Sequence, residues 1–402
     1  MVFCDNSFMR TLVKADQLWT GSRLIAAAFV VIEDGLIGAV GSLKSEQEPA
    51  AERTIQFDDC LLAPAFFDVH IHGAAGHDGM EATPEAVDAI GGFLAQHGTG
   101  SYLATTVTAP LDETLRSLCG LSGIITKWSA GTEAGGRTAQ AVARPVGIHL
   151  EGPFLSHTKR GVHPPDYLLD ADPAIFDRMF EAAEGQIRLL TLAPELPGAV
   201  EFTAHAVSRG VRVSVGHSNA TAAETLAVIA AGAVSATHTF NAMRPLNQRE
   251  PGILGIALTR DDLFAELICD GVHVAPEMVK LWWRAKGLER AILVTDAMSA
   301  TGMPDGIYRL GDFDVEVADG RAMVGGVLAG SVLTLDRALL NFVGYAGASV
   351  TDAIRLVTTN PASMTGLGGT VGHVAAGQAA NWIAIDATGQ RMGSMQDGIL
   401  LR

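Results

Sequence analysis

Asp68-Val69-His70-Ile71-His72 sets a carboxylate and two imidazoles at alternate positions. On a strand, side chains two apart share a face, so Asp68, His70 and His72 point the same way and both rings can meet one metal ion. An isolated His-x-His is equally compatible with two histidines satisfied by hydrogen bonds in a loop. The pattern gains meaning because Glu151, His217, His238 and Asp296 each close a β-rich segment too. Any one of these alone is more readily a satisfied core residue than a ligand, yet packing gives no reason for polar residues at five segment ends. Imidazole nitrogen and carboxylate oxygen suit Zn2+ or a related divalent ion such as Fe2+ or Mn2+, and a catalytic centre keeps one coordination position open. Glu151, His217 and His238 form such a set. An ion of this kind brings the pKa of water to about 7 and polarises a carbonyl, which leaves Asp296 for proton transfer.

These side chains need a frame that brings distant segment ends together. From Pro64 onward, short β-rich segments alternate with stretches of helical length, as in repeated βα units. Strands are expected at Pro64–His72, Gly100–Val107, Pro145–Glu151, Ile187–Ala193, Val211–His217, Val234–His238, Phe264–Asp270 and Ala291–Asp296. Eight parallel strands close into a (β/α)8 TIM-like barrel, whose active sites form at the carboxyl ends of the strands. The clearest helices are Pro84–Gln96, with proline at its start, Ala220–Ala231 after an asparagine, and Ser331–Val343 after a Gly-Ser cap. Gly131–Arg144 reads as a surface loop. The first sixty residues show short strands and turns instead, and similar signals recur at Gly377–Asp386. We therefore expect a barrel over 61–364 and a small β-sandwich domain built from both termini, 1–60 and 365–402.

Composition agrees. The 402 residues are 48% hydrophobic with 45 glycines, which suits a buried parallel sheet joined by tight turns. A net charge of −16 opposes binding to nucleic acid, so any bound phosphate must meet a local positive cluster. Cys4, Cys60, Cys119 and Cys269 are scattered without zinc-knuckle or redox spacing and are read as reduced thiols. The amino terminus lacks a secretory pattern, and no apolar run approaches the roughly 18 residues of a membrane span. A cytoplasmic protein with no membrane association is expected.

Five segments together carry a resemblance: Pro64–Gly73, His149-Leu150-Glu151-Gly152-Pro153-Phe154, Gly216-His217-Ser218-Asn219-Ala220, Thr237-His238-Thr239-Phe240-Asn241-Ala242-Met243 and Val294-Thr295-Asp296-Ala297. The chain resembles the N-acetylglucosamine-6-phosphate deacetylases of the amidohydrolase superfamily, in order, from about Pro64 to Pro361. The Leu-Glu-Gly-Pro and His-x-x-Asn-Ala-Met elements are far more specific than the His-x-His. By that resemblance Glu151, His217 and His238 are the main metal ligands, and Asp296 is the general base and then the acid. His163 contacts the substrate carbonyl, although Gly161-Val162-His163-Pro164-Pro165 by itself reads more readily as a rigid loop. The phosphate of the sugar substrate is expected near Asn241, Ala242, Arg249 and His273, the last two acting in their own chain or offered by a neighbouring subunit of a homodimer. Arg249 without the resemblance is a solvated loop residue beside Glu250.

Two departures matter. Some relatives replace the first-strand histidines with amides and hold one ion; His70 and His72 allow a second. The fourth strand ends Leu192-Ala193-Pro194-Glu195 without lysine, so no carbamylated bridge is expected and Glu151 itself must join two ions. Gly325–Ser331 lacks the Gly-Lys-Ser/Thr ending of a nucleotide loop and is read as lining the substrate pocket. His77, His97, His157, His205 and His373 lack strand-end placement and are left out of the site. The implied reaction is hydrolysis of the acetamide of N-acetylglucosamine 6-phosphate. Its rivals are the galactosamine isomer or another N-acyl amino compound, and a non-catalytic barrel that kept only its assembly surfaces.

Overall fold

The computed structural model describes residues 10–133, 141–311 and 313–401. Eight strands form one parallel sheet: β1 (Phe66–Ile71), β2 (Thr99–Thr106), β3 (Arg144–Glu151), β4 (Ile187–Leu192), β5 (Arg212–Val215), β6 (Ser235–Ala236), β7 (Phe264–Ile268) and β8 (Ala291–Val294), each paired with the next. The sheet closes on itself just past the ends of β8 and β1. There Asp296 N donates to His70 O at 2.9 Å and His72 N donates to Ala297 O at 2.8 Å. Closure therefore places His70, His72 and Asp296 side by side.

The outer ring is α1 (Pro84–Gln96), α2 (Leu111–Glu133), α3 (Pro173–Ala182), α4 (Ala199–Ser208), α5 (Ala222–Ala230), α6 (Gly252–Thr259), α7 (Pro276–Arg290) and α8 (Leu335–Ala346). The α1 start follows its sequence signal, a proline in the first turn, where no N–H is needed, and Thr83 adds a cap by accepting from Ala86 N. Strand residues such as Leu189, Leu190, Val213, Leu267 and Leu293 are wholly buried in one core that the helices cover.

Several boundaries differ from the sequence reading. Thr221, not Asn219, caps α5, through a reciprocal pair with Glu224. β6 is two residues long, because the chain leaves the sheet at Thr237 to build the site. α8 begins at Leu335 after Thr334, and Ser331 instead seals the β8 end, donating from its N–H to Asp296 O at 2.7 Å and from Oγ to Thr295 O at 2.6 Å. Helix α2 runs through Glu133, and residues 134–140 of the expected Gly131–Arg144 loop lie outside the described residues. An insertion between β8 and α8 was not anticipated: a four-stranded antiparallel sheet of Gly306–Leu310, Phe313–Ala318, Arg321–Val324 and Val327–Leu328.

Both termini build the small β domain. Its seven strands run in the order 399–401, 391–396, 382–386, 53–64, 11–19, 24–33 and 36–42. Arg53–Pro64 is the hinge of the architecture, since it pairs with Trp382–Asp386 and then leads directly into β1. Cys60, Cys119 and Cys269 are free; Cys4 lies outside the described residues.

Candidate functional site

At the carboxyl end of the barrel a cavity of about 480 Å³ opens, with Glu151, His72, His163, His217, His238 and Asp296 in its wall. Glu151 ends β3 and is its centre. One carboxylate oxygen, Oε1, lies 3.1 Å from His238 Nε2, 3.3 Å from His217 Nε2 and 3.4 Å from His70 Nε2. The other, Oε2, lies 3.2 Å from His72 Nε2 and 3.6 Å from His163 Nε2. Asp296 Oδ1 sits 3.3 Å from His72 Nε2 and 3.5 Å from His70 Nε2.

The backbone at three of these positions is unusual for residues other than glycine. His217, His238 and Asp296 adopt φ of 44°, 26° and 51°. Each is where the chain turns sharply off its strand, and such left-handed conformations persist only where surrounding bonds hold them. For His238 these include its N–H to Glu266 Oε2 at 3.3 Å, and for His217 a contact of 3.0 Å from Nδ1 to Lys159 O. Glu195, which stands where a bridging lysine could have been, accepts from Ser218 Oγ at 2.7 Å and Asn219 N at 2.6 Å, and so fixes the turn after His217.

The donors fall into two groups that share Glu151: His70, His72 and Glu151, and Glu151, His217 and His238, with ligand atoms in each group within 4.8 Å of one another. Their chemistry fits divalent ions. His217 and His238 aim their Nε2 atoms at each other across only 3.0 Å, and His70 Nε2 is buried with no hydrogen-bond partner. Lone pairs converging on a buried carboxylate call for a cation between them.

Electrostatics follow from burial and proximity. Burial alone would lower the pKa of His70, but the Glu151 and Asp296 carboxylates raise it well above the ordinary imidazole value; His72 is pushed to about 9 by the same opposition. Glu151 moves the other way: burial opposes its charge, and His70 together with the ring contacts of His163, His217 and His238 holds it well below the usual carboxylate range. Burial takes His163 to about 4, so its ring is neutral near pH 7. Its Nδ1 lies 2.8 Å from Thr108 Oγ1, which leaves Nε2 facing the cavity.

Asp68 does not join the donors. Its carboxylate accepts from Thr295 Oγ1 at 2.6 Å and His70 N at 3.2 Å, bracing β1 against β8. Asn241, Ala242 and His273 line the cavity, and Asp270 Oδ2 holds His273 Nδ1 at 2.6 Å. Arg249 is exposed and absent from the cavity wall. Gly326, Val327, Leu328 and Gly330 do line the pocket, as part of the inserted sheet and the turn after it. The histidines left out have other partners: His77 meets Glu81, His97 meets Asp336, His205 meets Asp177 and His373 meets Val371 O, while His157 is exposed.

Sequence reasoning missed Glu266, Thr108 and Lys159. Glu266 lies mid-strand in β7 rather than at an end, wholly buried, with Oε2 3.4 Å from His70 Nδ1. A charged residue inside Phe264-Ala265-Glu266-Leu267-Ile268 was the available signal. Lys159 lines the cavity one turn before His163, and no motif marked it.

Comparison with known proteins agrees with this geometry. N-acetylgalactosamine-6-phosphate deacetylase of Escherichia coli O157:H7 is 36% identical over 94% of this chain and 96% of its own. N-acetylglucosamine-6-phosphate deacetylase of Bacillus subtilis (strain 168) is 34% identical over 94% and 93%. A solved variant of N-acetyl-D-glucosamine-6-phosphate deacetylase from Mycobacterium smegmatis, in complex with N-acetyl-D-glucosamine-6-phosphate, superposes with a TM-score of 0.87 at 35% identity, covering 98% of this chain and 99% of that one. The amidohydrolase family profile matches residues 61–397, and with a closed barrel that gathers its histidines around Glu151, the chain belongs to the amidohydrolase family.

Proposed function

We propose that this chain is a metal-dependent deacetylase that hydrolyses the acetamide of N-acetylglucosamine 6-phosphate to glucosamine 6-phosphate and acetate, in amino-sugar catabolism. The observation that carries the reading is the convergence of His70, His72, His217 and His238 on Glu151, with Asp296 beside them, at the floor of a cavity rimmed by Asn241, Ala242 and His273. Glu151, His217 and His238 would hold one ion and His70, His72 and Glu151 a second. Zinc is the ion we propose, with Fe2+ and Mn2+ suited to the same donors. A divalent ion there supplies activation of water and polarisation of the amide carbonyl.

The chain's own residues do the rest. Neutral His163, fixed by Thr108, presents Nε2 to the acetyl oxygen. Asp296, ionised near pH 7, accepts the proton of the attacking water and returns it to the departing amine. The phosphate lies against Asn241, Ala242 and His273. Asp270 orients His273, whose pKa is raised: burial alone would lower it, and the Asp270 contact outweighs burial. That favours positive charge on the ring near an anion in an otherwise acidic protein. Arg249 reaches the phosphate of a partner subunit in a homodimer, a role supported by its position on an exposed loop. Among the described residues no helix is long and apolar enough to cross a membrane; a cytoplasmic location is part of the proposal.

A second reading, the galactosamine epimer as substrate, is favoured by the Escherichia coli relative. Acetate release measured on both N-acetyl sugar phosphates and on unphosphorylated N-acetylglucosamine decides between them. Arg249→Ala should cost about ten- to a hundredfold in kcat/KM on phosphorylated substrate, the effect of losing one charge-assisted contact, and little on the unphosphorylated sugar. Equal losses on both would remove Arg249 from the phosphate site, and no acetate from any of the three would overturn the deacetylase reading.

A further inference from the structure

We infer that Glu266 is a positioning residue that sets the tautomer and aim of His70, and thereby determines whether the His70–His72–Glu151 group can hold an ion. The inference rests on the metal-dependent reading above and goes beyond it.

Glu266 is wholly buried in β7, and every other residue of that strand is apolar. A carboxylate in such a place is costly unless a cation or several donors face it, and an apolar side chain of similar size would pack the barrel as well. Something must repay that burial. Oε2 faces two groups: His70 Nδ1 at 3.4 Å and the N–H of His238 at 3.3 Å. The backbone N–H alone would be satisfied by any neutral oxygen, so it does not account for the charge. The imidazole does.

An imidazole that donates Nδ1–H to a carboxylate must leave its Nε2 lone pair free, and the carboxylate raises the basicity of that lone pair. His70 Nε2 is the atom that points into the site, 3.4 Å from Glu151 Oε1 and 3.5 Å from Asp296 Oδ1, and it is buried without a hydrogen-bond partner. The other donors differ. His217 Nδ1 meets the backbone oxygen of Lys159, and the Nδ1 atoms of His72 and His238 are buried with no partner. His70 is thus the one ring of these four with a carboxylate behind it. Because the same Oε2 also receives the His238 N–H, Glu266 ties one member of each donor group together and fixes their separation.

The test is metal titration of the full-length protein after chelator treatment, with Zn2+ or Co2+ as the probe, read by calorimetry and by the Co2+ absorption spectrum. The wild-type chain should take two ions per chain and His70→Ala one. Glu266→Gln keeps the shape and an acceptor for both donors but removes the charge; it should weaken the second ion about ten- to a hundredfold, with the first unchanged. Unchanged affinity for both ions in Glu266→Gln would overturn the proposal while leaving the metal-dependent reading intact. A wild type that takes one ion, indifferent to His70→Ala, would overturn it as well, and one that takes none would instead sink the reading on which it rests. Nitrogen NMR of the zinc-loaded wild type needs no variant: the proton of His70 should be on Nδ1, and finding it on Nε2 would refute the inference even if Glu266→Gln failed to fold.

Discussion

Replacing Asp296 by asparagine preserves the shape of the side chain and removes its capacity to take a proton. The position has φ of 51°, a conformation that asparagine adopts as readily as aspartate. Its backbone bonds, to His70 O at 2.9 Å and from Ser331 N at 2.7 Å, require no side chain, so barrel closure should survive. The carboxylate is placed for proton work. Burial opposes its charge, but His70 and His72 outweigh burial and hold it below the ordinary carboxylate range. Its base form is therefore present throughout neutral pH and is lost only as pH falls below the usual range near roughly 4. A positioned acid–base group contributes about 10²–10⁴-fold, roughly 3–5 kcal/mol of barrier at 1.36 kcal/mol per decade. The loss should appear in kcat, with KM within a few fold, because the group acts in the transition state. Acetate release gives the rate, elemental analysis the metal content, and thermal melting the fold. A folded, metal-replete Asp296→Asn enzyme within tenfold of the wild-type rate would refute the assignment.

Two further perturbations probe the frame. His217→Ala or His238→Ala removes one of the three proposed ligands of the Glu151 group, and metal content and activity should fall together; full metal content with normal rate in either variant would show that the group does not bind the ion. Gly152→Ala should strike through Thr108. Its φ is 84° and a Cβ would lie 2.0 Å from Thr108 Oγ1, so strain and overpacking together should destabilise by about 2–4 kcal/mol, while displaced Thr108 frees His163 and lowers kcat/KM. Wild-type melting temperature and activity in that variant would show that the Thr108–His163 contact does not matter.

The local pattern of the chain was sufficient for the repeated βα units, because strand and helix periodicity and a start signal such as Pro84 act over a few residues. It also marked Glu151, His217, His238 and Asp296, since a polar residue closing an apolar strand is a local anomaly. What it left open was decided by closure. Asp68 shares a strand face with His70 and His72, yet β8 arrives beside β1 and Thr295 takes that carboxylate, a contact 227 residues apart in the chain. The 3.0 Å approach of His217 to His238 depends on left-handed backbone at both, which no side-chain pattern encodes. Glu266 read as an oddity in an apolar strand until the barrel placed His70 against it from 196 residues away. The inserted sheet at 306–328, which supplies Leu310, Val327 and Leu328 to the pocket wall, follows from how those hairpins fold over the barrel mouth. Sequence thus marked the polar residues that close the strands; the closed barrel decided which of them converge on Glu151.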